Sequence, residues 1–260
     1  MNLRAGRRRN YGCYKSKYRG TPQMQGYGQF CPVAKALELV GTRWTPLVLR
    51  ELLAGSRHFS DLQQGVPLMS RSLLAQRLKE LEAAGLLSAT EKKAGRGFEY
   101  ALTPAGAAME SVIEALGVWG TAYAQARIGP EDCDPNMLFL AIGRHGDLSV
   151  LPGRRFVIRF EFRNLPKSRR SLTTWWLVWD RGALDACVTN PGFEVDLVVN
   201  AAIDVLVKVW MGSIGLAEAR MSGAIRFEGA PEARDSFIHM LDLRPTPCVK
   251  SFNYGPPQAA

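Results

Sequence analysis

The sequence predicts an α+β protein whose two halves are built differently. Residues 31–126 of the 260-residue chain alternate helical apolar periods with short breaks. Beyond residue 137 the period becomes two. Phe156, Ile158, Phe160 and Phe162 alternate with Val157, Arg159, Glu161 and Arg163, as in a half-buried strand. The charge divides in the same way. Residues 1–20 hold seven basic and no acidic residues, residues 21–127 eleven basic against nine acidic, and residues 128–260 fifteen of each, for a net charge of +9. A cationic front suggests a polyanionic partner, and a neutral back suggests another task.

The length suits two domains better than one. No apolar run approaches the roughly 20 residues of a membrane helix, and the basic N-terminus lacks the apolar core of a signal peptide. No membrane partner and a cytoplasmic location are therefore expected. The five cysteines, at positions 13, 31, 133, 187 and 248, show no paired spacing, as in a reducing compartment. His58, His145 and His239 are far apart and matched to no cysteine or carboxylate, so neither a metal nor another cofactor is expected.

Residues 1–23 are basic, Gly-rich and without apolar period, and read as a disordered basic arm. A first domain spans 24–126. Pro32 suits the first position of a helix that keeps Val33, Leu37 and Val40 on one face and stops at Gly41. A second helix starts near Thr45. Ser60-Asp61-Leu62-Gln63 reads as a capping box for a third. Ser70 caps a fourth, with Leu74, Leu78 and Leu81 inward and Gly85 at its end. "LLSATEKKAGRGFEYALT" reads as two strands turning at Ala94–Gly97. Met109, Val112, Ile113, Leu116, Trp119 and Tyr123 then line one helix face.

Residues 127–136 read as a linker and 137–245 as a second domain, followed by a tail over 246–260. This domain shows strands at "RFVIRFEFR", "TTWWLVWD" and "ALDACV", then a helix over 200–211 and another short helix. The strand "AIRFEG" and a helix from Pro231 to Leu241 complete it. One antiparallel sheet with helices on one side is the expected architecture.

Helix, turn, capped helix and basic hairpin, in that order, describe a winged helix-turn-helix. A helix enters the major groove when its outer face is free of bulk and carries hydrogen-bonding groups. From Ser70 onward the outward residues include Arg71, Ser72, Gln76 and Lys79, while Lys92, Lys93 and Arg96 surround the hairpin turn. Arg71 and Gln76 suit base edges, Ser72 a phosphate or a base, the positive dipole of the helix start at Ser70 a phosphate, and the hairpin cations the neighbouring backbone.

The stretch "YGQFCPVAKALELVGTRWTPLVLRELLAGSRHFSDLQQGVPLMSRSLLAQRLKELEAAGLLSA", with the hairpin and "YALTPAG", resembles the HxlR-type winged-helix transcription regulators over residues 24–125. The resemblance implies a homodimer formed through the first and last helices. It further implies that this homodimer reads a two-fold related operator in double-stranded DNA. Some members sense oxidants or quinones through a cysteine matching Cys31. A thiol at a helix N-cap suits that role, and a small residue at a helix–helix contact is the other reading.

In the second domain, Phe160, Phe162, Trp175, Trp179, Leu206 and Trp210 gather from strands and a helix. They are either core or the lining of a pocket for an apolar effector. The order of "WLVWDRGALDAC", "PGFEVDLVVNAAIDVLVKVWMG" and "GLAEARMSGAIRFEG" resembles sterol-carrier-protein-like domains over residues 140–243. That resemblance implies binding of a lipid-like molecule and no catalysis. No nucleophile–base pair stands out, and Asp185, Glu194, Asp196 and Asp204 read as solvated or turn-forming, so no enzyme activity is expected. The competing reading makes this domain a packed dimerisation or partner-docking module.

Overall fold

The computed structural model describes residues 26–92, 97–124 and 127–241. The expected basic arm and C-terminal tail lie outside these. The chain divides into two compact units, residues 1–43 and 44–260. Within the described part of the first, helix α1 (Pro32–Val40) starts on a proline and ends at Gly41. The Glu38 carboxylate on α1 accepts from the Tyr27 N–H at 2.8 Å and from Lys35 Nζ at 2.9 Å. These bonds hold that carboxyl below its ordinary pKa, the Lys35 contact acting most strongly.

The second unit opens with α2 (Thr45–Leu53), α3 (Phe59–Gly65) and α4 (Arg71–Ala83), then strands β1 (Leu87–Glu91) and β2 (Phe98–Leu102). Apolar residues at helical spacing give α2 and α4 their inner faces: Val48, Leu49, Leu52 and Leu53 from one, Leu74, Leu78 and Leu81 from the other, all buried. α3 begins one residue before Ser60, with His58 at the N-cap and no side-chain cap bond. The expected capping box is therefore absent, and Ser60 Oγ donates instead to the neighbouring Asp61 carboxylate at 3.1 Å. A short α5 (Pro104–Ala107), capped by Thr103, leads into α6 (Glu110–Tyr123).

Residues 127–136 are held against the C-terminal domain. Cys133 is buried, its Sγ donates to the Gly129 carbonyl at 3.4 Å, and Asp134 pairs with Arg169 at 3.1 Å. Burial first, then the nearby Asp204 and Asp132, push the Cys133 thiol up to about 11. Asp134 caps α7 (Pro135–His145), a helix that the sequence reading passed over.

Five strands come next: β3 (Phe156–Arg163), β4 (Thr174–Asp180), β5 (Ala183–Cys187), β6 (Leu197–Ala202) and β7 (Ile225–Gly229). Helices α8 (Ile203–Trp210), α9 (Leu216–Met221) and α10 (Pro231–Leu241) complete the domain. The sheet order is β5-β4-β3-β6-β7. Three pairings are antiparallel, but β3 and β6 run parallel, so the sheet is mixed where a purely antiparallel one was expected. The reason lies at residues 197–202. Residues 200–202 were expected to begin a helix, yet "LVVNAA" forms strand β6, between β3 and β7, and the helix starts only at Ile203. Between β4 and β5, Arg181 and Gly182 both take positive φ, 50° and 85°, as a two-residue hairpin turn requires.

One face of the sheet carries the core. Ile158, Phe160, Leu177, Leu197, Val199 and Ile225 are buried there. Phe139 and Ile142 from α7, Leu206 and Val209 from α8, and Phe237 and Met240 from α10 join them in the same cluster. Each strand supplies alternate residues, as the pleat demands.

Candidate functional site

The helix expected to read bases is set by its buried side. Gln63 Nε2 on α3 donates to the Val66 carbonyl at 3.3 Å and the Met69 carbonyl at 2.8 Å, which fixes the turn entering α4. Ser70 Oγ then accepts from the Leu73 N–H at 3.3 Å as the N-cap, and it lies 3.2 Å from Ser72 Oγ. With Leu74, Leu78 and Leu81 buried, Ser70, Arg71, Ser72, Gln76 and Lys79 are left exposed. The structure thus brings these five onto one accessible side of a capped helix.

Arg71 and Gln76 are held by other side chains as well. The Arg71 guanidinium sits 5.0 Å from the centre of the Phe59 ring, a cation–π contact that restricts the side chain at the helix start. Gln76 Nε2 donates to Glu80 Oε1 at 2.9 Å, and Arg77 pairs with the other Glu80 oxygen. Glu80 was missed, although its spacing of four from Gln76 and three from Arg77 is that of helix neighbours. Partial burial would raise the Glu80 pKa, but the bonds from Arg77 and Gln76 outweigh it and hold the carboxyl low. An acid on this face therefore orients Gln76.

The hairpin is tied to the helices at its base. Thr103 Oγ1 donates to the Gly85 carbonyl at 2.7 Å and accepts from the Gly106 N–H at 3.2 Å. On its outer side the hairpin gains a third chain, since the Tyr100 N–H donates to the Arg57 carbonyl at 2.8 Å and His58 bridges to Glu99. Lys92 stands at the end of β1, its N–H donating to the Gly97 carbonyl at 3.0 Å. Lys93 and Arg96 lie outside the described residues. Exposed Phe98 at the start of β2 is a further wing residue that the sequence reading did not single out.

Cys31 is the N-cap residue of α1, partly exposed, and its side chain makes no cap bond. On α6, Val112, Leu116, Trp119 and Tyr123 are exposed, and the Trp119 and Tyr123 rings lie 5.7 Å apart.

The six side chains considered for an effector pocket all belong to the C-terminal core or pack against it. Phe160, Phe162, Trp175 and Leu206 are buried, while Trp179 and Trp210 are partly buried. Phe139 fills the space among them, 4.9 Å from Phe160, 6.0 Å from Phe162 and 5.8 Å from Trp175. Two of the indole N–H groups donate to backbone: Trp175 to the Leu172 carbonyl at 2.8 Å and Trp179 to the Pro152 carbonyl at 3.0 Å. An opening lies elsewhere, in a cleft of about 480 Å³ beside β7, α9 and α10. Arg220, Arg226 and Arg234 line it, with Met221, Ile225 and Phe227 as apolar wall. Among the described residues no cluster of His, Cys, Asp or Glu is arranged to hold a metal, and no helix is long and apolar enough to cross a membrane.

Comparison with known proteins bears on the front half. The family model described as HxlR-like helix-turn-helix matches residues 39–128. The uncharacterized HTH-type transcriptional regulator YvaP of Bacillus subtilis is 32% identical over 97 residues, covering 36% of this chain and 90% of that protein. The HTH-type transcriptional regulator YodB of the same organism is 31% identical over 101 residues, covering 36% of this chain and 87% of that one. The uncharacterized HTH-type transcriptional regulator Rv3095 of Mycobacterium tuberculosis is 40% identical over 101 residues, covering 38% of this chain and 62% of that one. The crystal structure of diamide-treated YodB aligns at 29% identity over 36% of this chain and 96% of that one, with a TM-score of 0.31.

Proposed function

This chain belongs to the HxlR-like helix-turn-helix family, and from that premise we propose a one-component transcription regulator that binds a two-fold related operator as a homodimer. The observation that carries the DNA reading is α4 itself. Its leucine side is buried, its N-cap is satisfied, and Arg71, Ser72, Gln76 and Lys79 stand exposed on the other side. The exposed apolar face of α6 supports the dimer, because a row of Val112, Leu116, Trp119 and Tyr123 gains by being covered. The chain has no part in catalysis on this reading.

The test uses a duplex selected in vitro by the wild-type chain and a random duplex of equal length. Arg71→Ala is expected to lose about 1–3 kcal/mol of discrimination between the two, as for a base contact. Lys92→Ala is expected to weaken both about equally and to lower the salt slope by roughly one. A uniform loss from Arg71→Ala reassigns that residue to phosphate.

The effector is the finer part of the proposal. With the interior aromatics packed on one another, the arginine-lined cleft is the better place for a ligand. Arg234 is paired with Asp235 at 2.8 Å, whereas Arg220 lies 5.8 Å from the Phe227 ring and Arg226 lines the opening. Arginines over an apolar wall suit an anionic head carrying an apolar body. Calorimetry with decanoate and decanol tests this. Decanoate is expected to bind at least tenfold tighter, and Arg226→Gln to remove most of that difference. Equal binding makes the site purely apolar. Binding of neither favours the second reading, a packed partner-docking module with redox input at Cys31. The backbone-bonded indoles of Trp175 and Trp179 and the close ring contacts of the core support that reading.

A further inference from the structure

Glu51 is a carboxylate with no exposed surface, inside the DNA-reading half. A buried charge of this kind persists only when it is paired and hydrogen-bonded. One partner is local: Arg50 donates to Glu51 Oε1 through Nε at 3.0 Å and Nη2 at 2.7 Å. The other comes from 93 residues away. Arg144, in the last turn of α7, donates through Nη2 to Glu51 Oε2 at 2.7 Å and lies 3.4 Å from Ser56 Oγ. The two oxygens of one carboxylate are thus shared between the halves.

On the C-terminal side, α7 belongs to the aromatic core. Phe139 and Ile142 of α7 are buried among Phe160, Phe162 and Trp175, and Arg144 comes two residues after Ile142. Among the described residues that apolar cluster draws on none before Ile128, so the Arg144 contact is not an extension of a shared core. On the DNA-reading side, the Glu51 carboxyl lies where a Cβ on Gly65 would stand, only 2.0 Å from that position. Arg50 Nη2, while holding Glu51, also donates to the Gly65 carbonyl at 3.0 Å. Gly65 ends α3 and begins the turn whose Val66 and Met69 carbonyls Gln63 gathers before the Ser70 cap.

We propose that the Arg144–Glu51 ion pair is a latch between the C-terminal half and the helix-turn-helix, which holds the turn before α4 and so sets operator affinity. Arg144 is a positioning residue here, acting through Glu51, Arg50 and the Gly65 carbonyl. Without it, Glu51 Oε2 loses its donor, the carboxyl reorients, and Arg50 moves with it at the expense of Gly65. The device needs no ligand in the C-terminal half, though a ligand that displaced α7 would use it.

The proposal rests on the DNA-reading assignment, and the experiment separates the two. In the full-length chain, Arg144→Met keeps the aliphatic stem and removes the charge. Amide exchange over residues 65–70 is expected to speed up at least tenfold in this variant, with β1 and β2 unchanged. This readout needs no DNA. Affinity for the selected duplex is expected to fall at least threefold at an unchanged salt slope, while Arg144→Lys keeps about half of the effect. In a Glu51→Gln background, Arg144→Met should add nothing further, as a shared interaction requires. Wild-type exchange and affinity in Arg144→Met overturn the latch, and a lowered salt slope overturns it in favour of a phosphate contact. Failure of the wild-type chain to select any duplex strikes the DNA assignment alone, leaving the exchange result to decide the latch.

Discussion

Alanine at position 106 is expected to destabilise the winged half by about 3 kcal/mol or more, at the upper end of overpacking costs. A Cβ on Gly106 would stand 1.9 Å from the Leu86 carbonyl oxygen and 2.9 Å from Leu102 Cδ2. The carbonyl cannot step aside easily, because it accepts the Thr103 N–H at 3.1 Å. Thr103 in turn links the hairpin to Gly85 and caps α5. One added methyl therefore pushes apart the end of α4, the base of the wing and the start of the helix leading to α6. Urea denaturation monitored by circular dichroism measures the loss. Gly143→Ala is the control. Its Cβ would meet only Leu184 Cδ2 at 4.0 Å, so α7 should gain about 0.5–1 kcal/mol from the better helix former. A Gly106→Ala chain as stable as wild type would mean that the Leu86 carbonyl is not pinned.

Phe160→Ala is expected to cost about 3–5 kcal/mol in the C-terminal half, the range for a large aromatic removed from a close-packed core. Phe160 has no exposed surface and touches rings on three sides: Phe139 at 4.9 Å, Phe162 at 5.4 Å and Phe237 at 5.7 Å. Phe139 comes from α7 and Phe237 from α10, so the loss is felt by helices at both ends of the domain. A residue lining an open tunnel would behave otherwise, since its truncation enlarges a space already present. A cost below about 1 kcal/mol would return Phe160 to a cavity wall and the effector to the interior. The C-terminal cluster is separate in residues from the leucines of α2 and α4. In Phe160→Ala the back half should therefore unfold ahead of the front, with DNA binding by the front measured beside it.

The two halves were legible to different degrees. The front reads well because its determinants are local. Ser70 was expected to cap α4 and does, since an N-cap needs only its own next three residues. Leu74, Leu78 and Leu81 go inward because helical spacing leaves them no other common face. Where a local signal failed, a longer-range one prevailed. Ser60-Asp61-Leu62-Gln63 has the letters of a capping box, but Arg57 and His58 run alongside the hairpin at Tyr100 and Glu99, so α3 starts earlier.

The back half reads less well because a mixed sheet is a matter of partners. "LVVNAA" can be strand or helix by its own composition. It becomes a strand by lying between β3, parallel to it, and β7, antiparallel. The aromatic side of β3 and β4 was read correctly, since alternation alone decides it. Whether those rings enclose a space could not be read, because Phe139, which fills it, comes from a helix that the sequence reading passed over.

Sequence alone determined the basic front, the capped helix with its polar outer face and the hairpin behind it. Each stems from charge or from periods shorter than about a dozen residues. Only the tertiary structure decided that Glu51, an unremarked acid in "LREL", is buried and answered by Arg144. No local pattern announces a carboxylate's burial, and its second donor lies 93 residues away in the chain. The same holds for Gly106, whose lack of a side chain matters only because the Leu86 carbonyl occupies that space.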